Sequence, residues 1–122
     1  MTRKDFKEKI VERRIKLIQE VLESKGNDYA ENSDQFRSFN LGSKFSLHET
    51  PDAVAWEFLV KHLQSVHQMV DDYEKKRKIP TEEYIDEKIG DCINYLILLE
   101  GLLKDKIITG PLTTKLIYNL VE

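Results

Sequence analysis

A carboxylate within the most apolar stretch of the chain is the clearest candidate for chemistry. The sequence around Asp91 reads IGDCINYLILL, so its neighbours are mostly isoleucine and leucine. At helical spacing, Asn94 and Glu87 share the face of Asp91. Lys88 and Tyr95 flank that face. A carboxylate in so apolar a setting is costly unless it is paired or binds a metal ion. We therefore expect an inward-facing polar site, the alternative being that Asp91 meets Lys88 or Tyr95 at the surface.

A second group of polar residues lies about thirty positions earlier, on a face that could oppose Asp91. Glu57, Lys61 and Gln64 are spaced four and three apart, as on one side of a helix. Lys61 could neutralise Asp91 across a helix interface, or it could contact a phosphate. The alternative is an ordinary surface pair of Glu57 and Lys61, worth a few tenths of a kcal/mol. By the same spacing, His62 is expected on another face.

A third cluster lies in residues 26–49, which follow no helical or strand period and are rich in Asn, Asp, Ser and Gly. A long irregular segment in a small domain is often functional. Aromatic rings stack on bases, amides read base edges, and Lys or Arg contacts phosphate. The alternative is a loop held in place by its own aromatic side chains. The candidate ligand-binding residues here are Lys25, Asp28, Tyr29, Asn32, Phe36, Arg37 and Phe39.

Composition limits the class of protein. The 122 residues are 40% hydrophobic and 34% charged, which is typical of one globular domain rather than a membrane or disordered chain. The net charge of −3 gives no basic footprint for duplex nucleic acid. The single cysteine, Cys92, excludes an intrachain disulfide, and the charged first residues do not resemble a secretion signal. We expect a cytoplasmic location.

Capping residues divide the chain into three long helices. Thr2 is suited to cap a first helix that reaches about Lys25, and Thr50-Pro51 begins a second that reaches about Lys76. After a break at Pro80, Thr81 caps a third helix. The pattern predicts a single all-α domain over 1–122, with an irregular aromatic-rich loop after the first helix. A short C-terminal segment of helix or strand follows, with enough apolar residues to suggest a homo-oligomer.

Each predicted helix carries an apolar stripe that should pack inward. In the first helix the stripe is Phe6, Ile10, Val11, Ile15, Ile18, Val21 and Leu22. In the second it is Phe58, Leu59, Leu63, Val66, Met69, Val70 and Tyr73. In the third, which we expect to be the central helix, it is Ile85, Ile89, Cys92, Ile93, Leu96, Leu99 and Leu103.

Three short strings in this chain resemble motifs of a known family. They are KGNDY at 25–29, followed by Phe36 and Phe39, then LVKH at 59–62, and DCINYL at 91–96. They are similar to motifs of small phage and bacterial nucleotide-modification-associated, MazG-like, domains, and the resemblance covers about residues 15–103. It implies a mostly helical, oligomeric domain that handles nucleotides.

The resemblance also has a consequence for metal binding. MazG-type pyrophosphohydrolases carry an E-x-x-E pair on one helix and E-x-x-D on another, which hold magnesium over a diphosphate. This chain has Lys88 where the glutamate three residues before Asp91 is expected, and Glu57 has valine at both positions three residues away. The remaining metal candidates, for a hydrolase, are Glu57, Glu87 and Asp91. Lys61 and Lys88 in place of acids favour direct phosphate binding without a metal cofactor.

Three functions from different classes follow. The first is a phage-type protein that captures a nucleotide or a nucleotide-derived signal without turnover, for example to sequester a defence signal. The second is a magnesium-dependent nucleotide pyrophosphohydrolase, and the third a helical protein-interaction module. For the first, the expected roles are phosphate contacts by Lys25, Arg37 and Lys61, base stacking by Tyr29, Phe36 or Phe39, and orientation of Lys61 or hydrogen bonding to ribose by Asp91, Asn94 and Tyr95.

Overall fold

The computed structural model describes residues 1–25 and 50–109. Within these ranges every regular element is helical and no strand occurs, which confirms the all-α class. No helix in the same ranges combines the length and apolar character that a membrane crossing needs. The predicted aromatic-rich loop at 26–49 and the C-terminal segment at 110–122 lie outside the described residues.

The first helix, α1, covers residues 3–25 and starts at the predicted cap. Thr2 Oγ1 accepts a hydrogen bond from the Asp5 backbone N–H at 3.0 Å, and the Thr2 N–H donates to Asp5 Oδ2 at 3.2 Å. This reciprocal pair satisfies two amide groups that a helix start leaves without intrahelical partners. Regular α-helical turns alternate with wider π-helical ones along α1. The successive segments are Arg3–Asp5 (α), Phe6–Glu12 (π), Arg13–Gln19 (α) and Glu20–Lys25 (π).

The second helix, α2, spans Pro51–Lys76 and begins where the sequence predicted, with Thr50 extended and Pro51 in the first turn. It ends at Arg77, which adopts a left-handed conformation with φ 55° and donates its backbone N–H to the Tyr73 carbonyl at 2.9 Å. Helices usually end in this way at glycine, because a side chain is strained there. The Arg77 guanidinium lies 5.5 Å from the Tyr73 ring centre, a contact that partly offsets the strain.

The third helix, α3, spans Glu82–Thr109. Its predicted cap is confirmed, since Thr81 Oγ1 accepts the Tyr84 backbone N–H at 3.2 Å. The short connection from α2 makes α2 and α3 an antiparallel hairpin.

The hairpin encloses the core of the described chain. Leu59 and Ala55 of α2 are fully buried, and Val54 and Leu102 are nearly so. The half-buried side chains that pack against this cluster come from α3 and are Tyr95, Leu98 and Leu99. An ion pair closes one end of the hairpin, where Lys106 Nζ lies 2.7 Å from Asp52 Oδ1.

Helix α1 rests on α3 through polar contacts. Arg13 Nη2 lies 2.7 Å from Asp86 Oδ2, and both terminal nitrogens of Arg14 donate to the Asp86 carbonyl at 3.3 Å. The Arg14 guanidinium covers Gly90, where a Cβ would lie only 2.7 Å from Arg14 Nη1. A larger residue at 90 would displace the flexible tip of Arg14, so glycine allows this close approach but the fold does not require it.

Several residues of the predicted stripes do not pack inward in the single chain. The reason is that each helix is rotated about its axis, relative to the orientation in which its predicted apolar stripe would face the core. Positions 55, 59, 62, 66 and 69 of α2 are among its buried or half-buried ones, and part of the predicted stripe lies to the side of them. The exposed members of the predicted stripes are Phe6, Ile10, Val11, Ile15 and Val21 in α1, Phe58, Leu63, Val70 and Tyr73 in α2, and Ile85, Leu96 and Leu103 in α3.

The ion pair at the end of the hairpin gives a testable pH dependence. Partial burial raises the pKa of Asp52, but hydrogen bonds from Lys106, Thr50 and its own backbone outweigh this, so the pKa lies below its usual value. Folding is therefore stabilised above about pH 4, the unfolded pKa, and this contribution is lost as pH falls through the lower folded pKa. We expect Lys106→Ala to reduce the free energy of unfolding by about 1 kcal/mol at neutral pH. The difference from wild type should shrink below pH 4, as measured by urea unfolding.

Lys104→Ala is the matched control for this experiment. Lys104 pairs with Glu100 at 3.0 Å, but both side chains are about two-thirds exposed, so the pair should contribute little. Equal losses for the two variants, or a Lys106→Ala loss that persists at low pH, would contradict the assigned role of Asp52.

Candidate functional site

The predicted carboxylate lies at the α2–α3 interface, and its partner there is a histidine. His62 Nδ1 is 3.5 Å from Asp91 Oδ2, and the side chain of Asp91 is 34% exposed. Asp91 is thus neither sealed in the core nor freely solvated. The expected pairing of Asp91 with Lys61 is replaced by the pairing with His62, because α2 presents position 62 rather than 61 to α3.

Aromatic rings form the side of this site. The His62 ring stacks on Tyr95 with centres 4.9 Å apart and an interplanar angle of 23°. Phe58 is tilted against the same tyrosine at 6.0 Å. Lys61 is exposed, and its ammonium lies 5.7 Å from the centre of the Phe58 ring, which is within cation–π range. The structure therefore brings Lys61, Asp91 and Tyr95 into one region.

The environment of Asp91 raises the pKa of two neighbouring groups. Burial raises the pKa of the Tyr95 phenol, and the Asp91 carboxylate raises it further. The same two causes, in the same order, raise the pKa of the Cys92 thiol.

Asn94 supplies an acceptor next to these groups. Its Oδ1 is buried and accepts no hydrogen bond within the part of the chain that the structure describes. An unpaired buried acceptor costs about 1–3 kcal/mol, so this oxygen favours the approach of a donor. Asn94 follows Asp91 by three residues, which places both on one side of α3.

The other predicted residues on the two helices lie differently. Lys88 is mostly buried and its ammonium is 3.8 Å from Glu87 Oε1 and 5.4 Å from the Tyr84 ring centre. Glu57 is exposed. Across residues 1–25 and 50–109, no three His, Cys, Asp or Glu side chains are grouped closely enough to hold a metal ion. In a single chain, Glu57, Glu87 and Asp91 thus do not form a ready ligand set.

The third predicted cluster, from residue 25 to 39, lies at the edge of the described residues and beyond it. Lys25 ends α1, but its side chain lies outside the described residues. The other predicted members of this cluster also lie outside them, namely Asp28, Tyr29, Asn32, Phe36, Arg37 and Phe39.

His62 is the functional candidate that sequence reasoning missed. Positions 55, 59, 62, 66 and 69 alternate spacings of four and three, the pattern of a helix–helix seam. Ala55, Leu59, Val66 and Met69 are apolar, so a polar residue at 62 interrupts a seam. That interruption, like Asp91 in its own apolar run, is the signal that could have identified the pair.

Comparison of the chain with protein-family models, with curated proteins and with solved structures found no match.

The effect of the Asp91 charge on the pKa of its neighbours can be measured at Cys92, the only cysteine in the chain. We expect Asp91→Asn to lower the pKa of the thiol, because it removes the nearby negative charge. The pKa should stay above its ordinary value, since burial is the larger cause. The measurement is the ultraviolet absorbance of the thiolate against pH, corrected with the Cys92→Ser variant.

Glu100→Gln is the control for this titration, because it removes a charge from the same helix at an exposed position. A thiol pKa that is unchanged by Asp91→Asn, or that moves equally in Glu100→Gln, would show that Asp91 does not act locally.

Proposed function

We propose that this chain is a nucleotide-binding protein that captures a nucleotide or a nucleotide-derived signal without efficient turnover. The observation that carries the proposal is the partly exposed Asp91–His62 pair, which lies against the Tyr95 ring with the Lys61 ammonium nearby. This combination offers a carboxylate, aromatic rings and a cation within one turn of α2 and the facing turn of α3.

A phosphate group would bind at Lys61. This lysine is exposed, so an anion in solution can reach its ammonium. The flat Phe58 ring beneath it limits the positions of the ammonium, which lowers the entropy cost of binding. A charge-assisted hydrogen bond to phosphate is about twice as strong as a neutral one.

The sugar hydroxyls of the ligand would bind at α3. The Asp91 carboxylate is a third exposed and can accept a hydrogen bond, as can the buried Asn94 Oδ1. Tyr95 flanks Asp91 on α3, and its ring stacks on His62. The site thus presents an acceptor and aromatic surfaces to a ligand rich in hydroxyl groups.

The base would be held by stacking. In the described residues the exposed part of Phe58 offers an aromatic surface at the edge of the site. The proposal assigns further stacking to Tyr29, Phe36 or Phe39, and further phosphate contacts to Lys25 and Arg37, on the basis of sequence. The resemblance to small phage and bacterial MazG-like domains supports nucleotides as the ligand class, and sequestration of a defence signal as the role in a phage.

Capture without turnover rests on the charges around the site. Hydrolysis of a diphosphate by two metal ions needs several converging carboxylates. In this chain Glu87 lies beside the ammonium of Lys88, which competes with a cation for that carboxylate. A lysine at each of positions 61 and 88 favours binding of phosphate as an anion.

Titration calorimetry with a panel of mono-, di-, tri- and cyclic nucleotides tests the proposal. We expect binding by at least one member, weakened about tenfold or more in Lys61→Met and in Asp91→Asn. Lys104→Met is the matched control, because it removes one lysine charge from an exposed pair elsewhere on the hairpin. Absence of heat with the whole panel, or equal losses in Lys61→Met and Lys104→Met, would contradict the proposed site.

Incubation of the bound nucleotide with Mg²⁺ separates capture from catalysis. We expect the nucleotide to be recovered intact by chromatography. Release of pyrophosphate from a nucleoside triphosphate, abolished by Asp91→Ala, would instead support a MazG-like pyrophosphohydrolase.

A further inference from the structure

The ring surfaces beside Asp91 are largely used within the protein. The His62 and Tyr95 rings stack on each other with centres 4.9 Å apart, and Phe58 is tilted against the same tyrosine at 6.0 Å. Tyr95 is half-buried, whereas Phe58 is 40% exposed and ends this row of rings. A base that stacks on the described part of the site therefore finds its surface at Phe58 rather than beside Asp91.

The Asp91 carboxylate is open to a different part of a ligand. Its side chain is 34% exposed, and His62 Nδ1 lies 3.5 Å from Oδ2, one of its two oxygens. A carboxylate only accepts hydrogen bonds, and its oxygens together provide about four lone-pair sites, more than one histidine nitrogen uses. It attracts small donor groups and repels a phosphate, which carries the same sign of charge.

The cation of the site lies next to the exposed ring. The Lys61 ammonium is 5.7 Å from the centre of the Phe58 ring, three residues earlier on α2. His62 follows Phe58 by four residues, which is about 6 Å along the helix axis. Asp91 faces His62 from α3. The ring, the cation and the carboxylate are thus grouped around one turn of α2.

The sugar is the part of a nucleotide that this grouping leaves for Asp91. It joins the base to the phosphate, so it lies between them when the base is at Phe58 and the phosphate at Lys61. Ribose carries neighbouring hydroxyl groups at C2′ and C3′, whereas 2′-deoxyribose lacks the first. Hydroxyl groups are donors and need no stacking surface. An acidic side chain reads the ribose 2′-hydroxyl in the same way in dinucleotide-binding folds.

We propose that the site is selective for ribonucleotides over 2′-deoxyribonucleotides, with the Asp91 carboxylate accepting a hydrogen bond from the ribose 2′-hydroxyl. This inference rests on the proposed function and names the sugar of the captured ligand. A 2′-deoxy ligand covers the partly exposed carboxylate without supplying a donor, so the charged acceptor loses water and gains nothing in return. Sites that bind a hydroxyl group through a buried polar partner reject an analogue that lacks it for this reason.

Paired titrations test the selectivity. The mono-, di- and triphosphates of adenosine, guanosine, cytidine and uridine are each titrated beside their 2′-deoxy counterparts by calorimetry. EDTA is present, so that no metal ion bridges the ligand and the carboxylate. We expect a ribonucleotide that binds to have a Kd at least about tenfold lower than that of its 2′-deoxy counterpart. Because base and phosphate are identical within a pair, the ratio of the two Kd values reports on the sugar alone.

Two variants separate the sugar contact from a general loss of binding. Asp91→Asn replaces the carboxylate by a neutral group of the same size, and it should bring the Kd values of a pair to within about threefold of each other. Lys61→Met removes one charge from the same site, and it should weaken both members of a pair by a similar factor and leave their ratio unchanged. Circular dichroism checks that both variants keep the helical content of the wild type.

The outcomes distinguish this inference from the function on which it rests. Binding of no nucleotide in the panel overturns both. Equal affinity within a pair, tighter binding of the 2′-deoxy form, or a ratio that Asp91→Asn leaves unchanged overturns the sugar selectivity alone. A ratio that Lys61→Met lowers as much as Asp91→Asn also overturns it, because the effect would then not belong to the carboxylate.

Discussion

The antiparallel contact between α2 and α3 is the constraint on which the rest of the structure depends. Leu59 and Ala55 are fully buried in it, while the described part of α1 contributes no residue to the buried core. The contact fixes the rotation of each long helix about its own axis. That rotation decides which polar side chains meet at the interface and which apolar ones remain outside. The candidate site and the exposed apolar residues of α2 and α3 are therefore two results of the same packing.

Within this contact, the Asp91–His62 pair occupies a position between core and solvent. A fully buried carboxylate is costly to desolvate, and a fully exposed one contributes little to stability. Asp91 avoids both extremes because a third of its side chain remains exposed and His62 lies at 3.5 Å. A carboxylate placed in this way remains accessible to a ligand. Tyr95, whose ring stacks on His62, adds an aromatic surface beside the carboxylate.

Local signals in the sequence were sufficient to locate the helices. Thr2, Pro51 and Thr81 act within one turn of their own positions, so the starts could be predicted without knowledge of the tertiary structure. Asp91 could also be identified locally, since a charged residue within an apolar run is visible in the sequence itself. Its partner could not, because positions 61 and 62 differ by about 100° of rotation and only the packed hairpin fixes that angle.

The inward faces were predictable only in part for the same reason. Heptad-like spacing is present on two sides of α2, and a single sequence does not state which side meets α3. Leu59 and Val66 belong to both sides, whereas Met69 belongs to one and Val70 to the other. Stripe predictions from periodicity alone combine such sides, which is why some predicted core residues are exposed in the single chain.

The contact of Arg14 with Gly90 has a consequence for the order in which the described parts of the chain unfold. Helix α1 is held to α3 by guanidinium groups on Asp86, while its apolar residues Phe6 and Ile15 remain about half exposed. Salt screens such contacts, and they bury little apolar area. Regions with few buried apolar contacts open at lower free energy than the rest of a protein. The amides of α1 should therefore exchange with solvent deuterium well before those near Leu59, through a partial unfolding that leaves the hairpin closed.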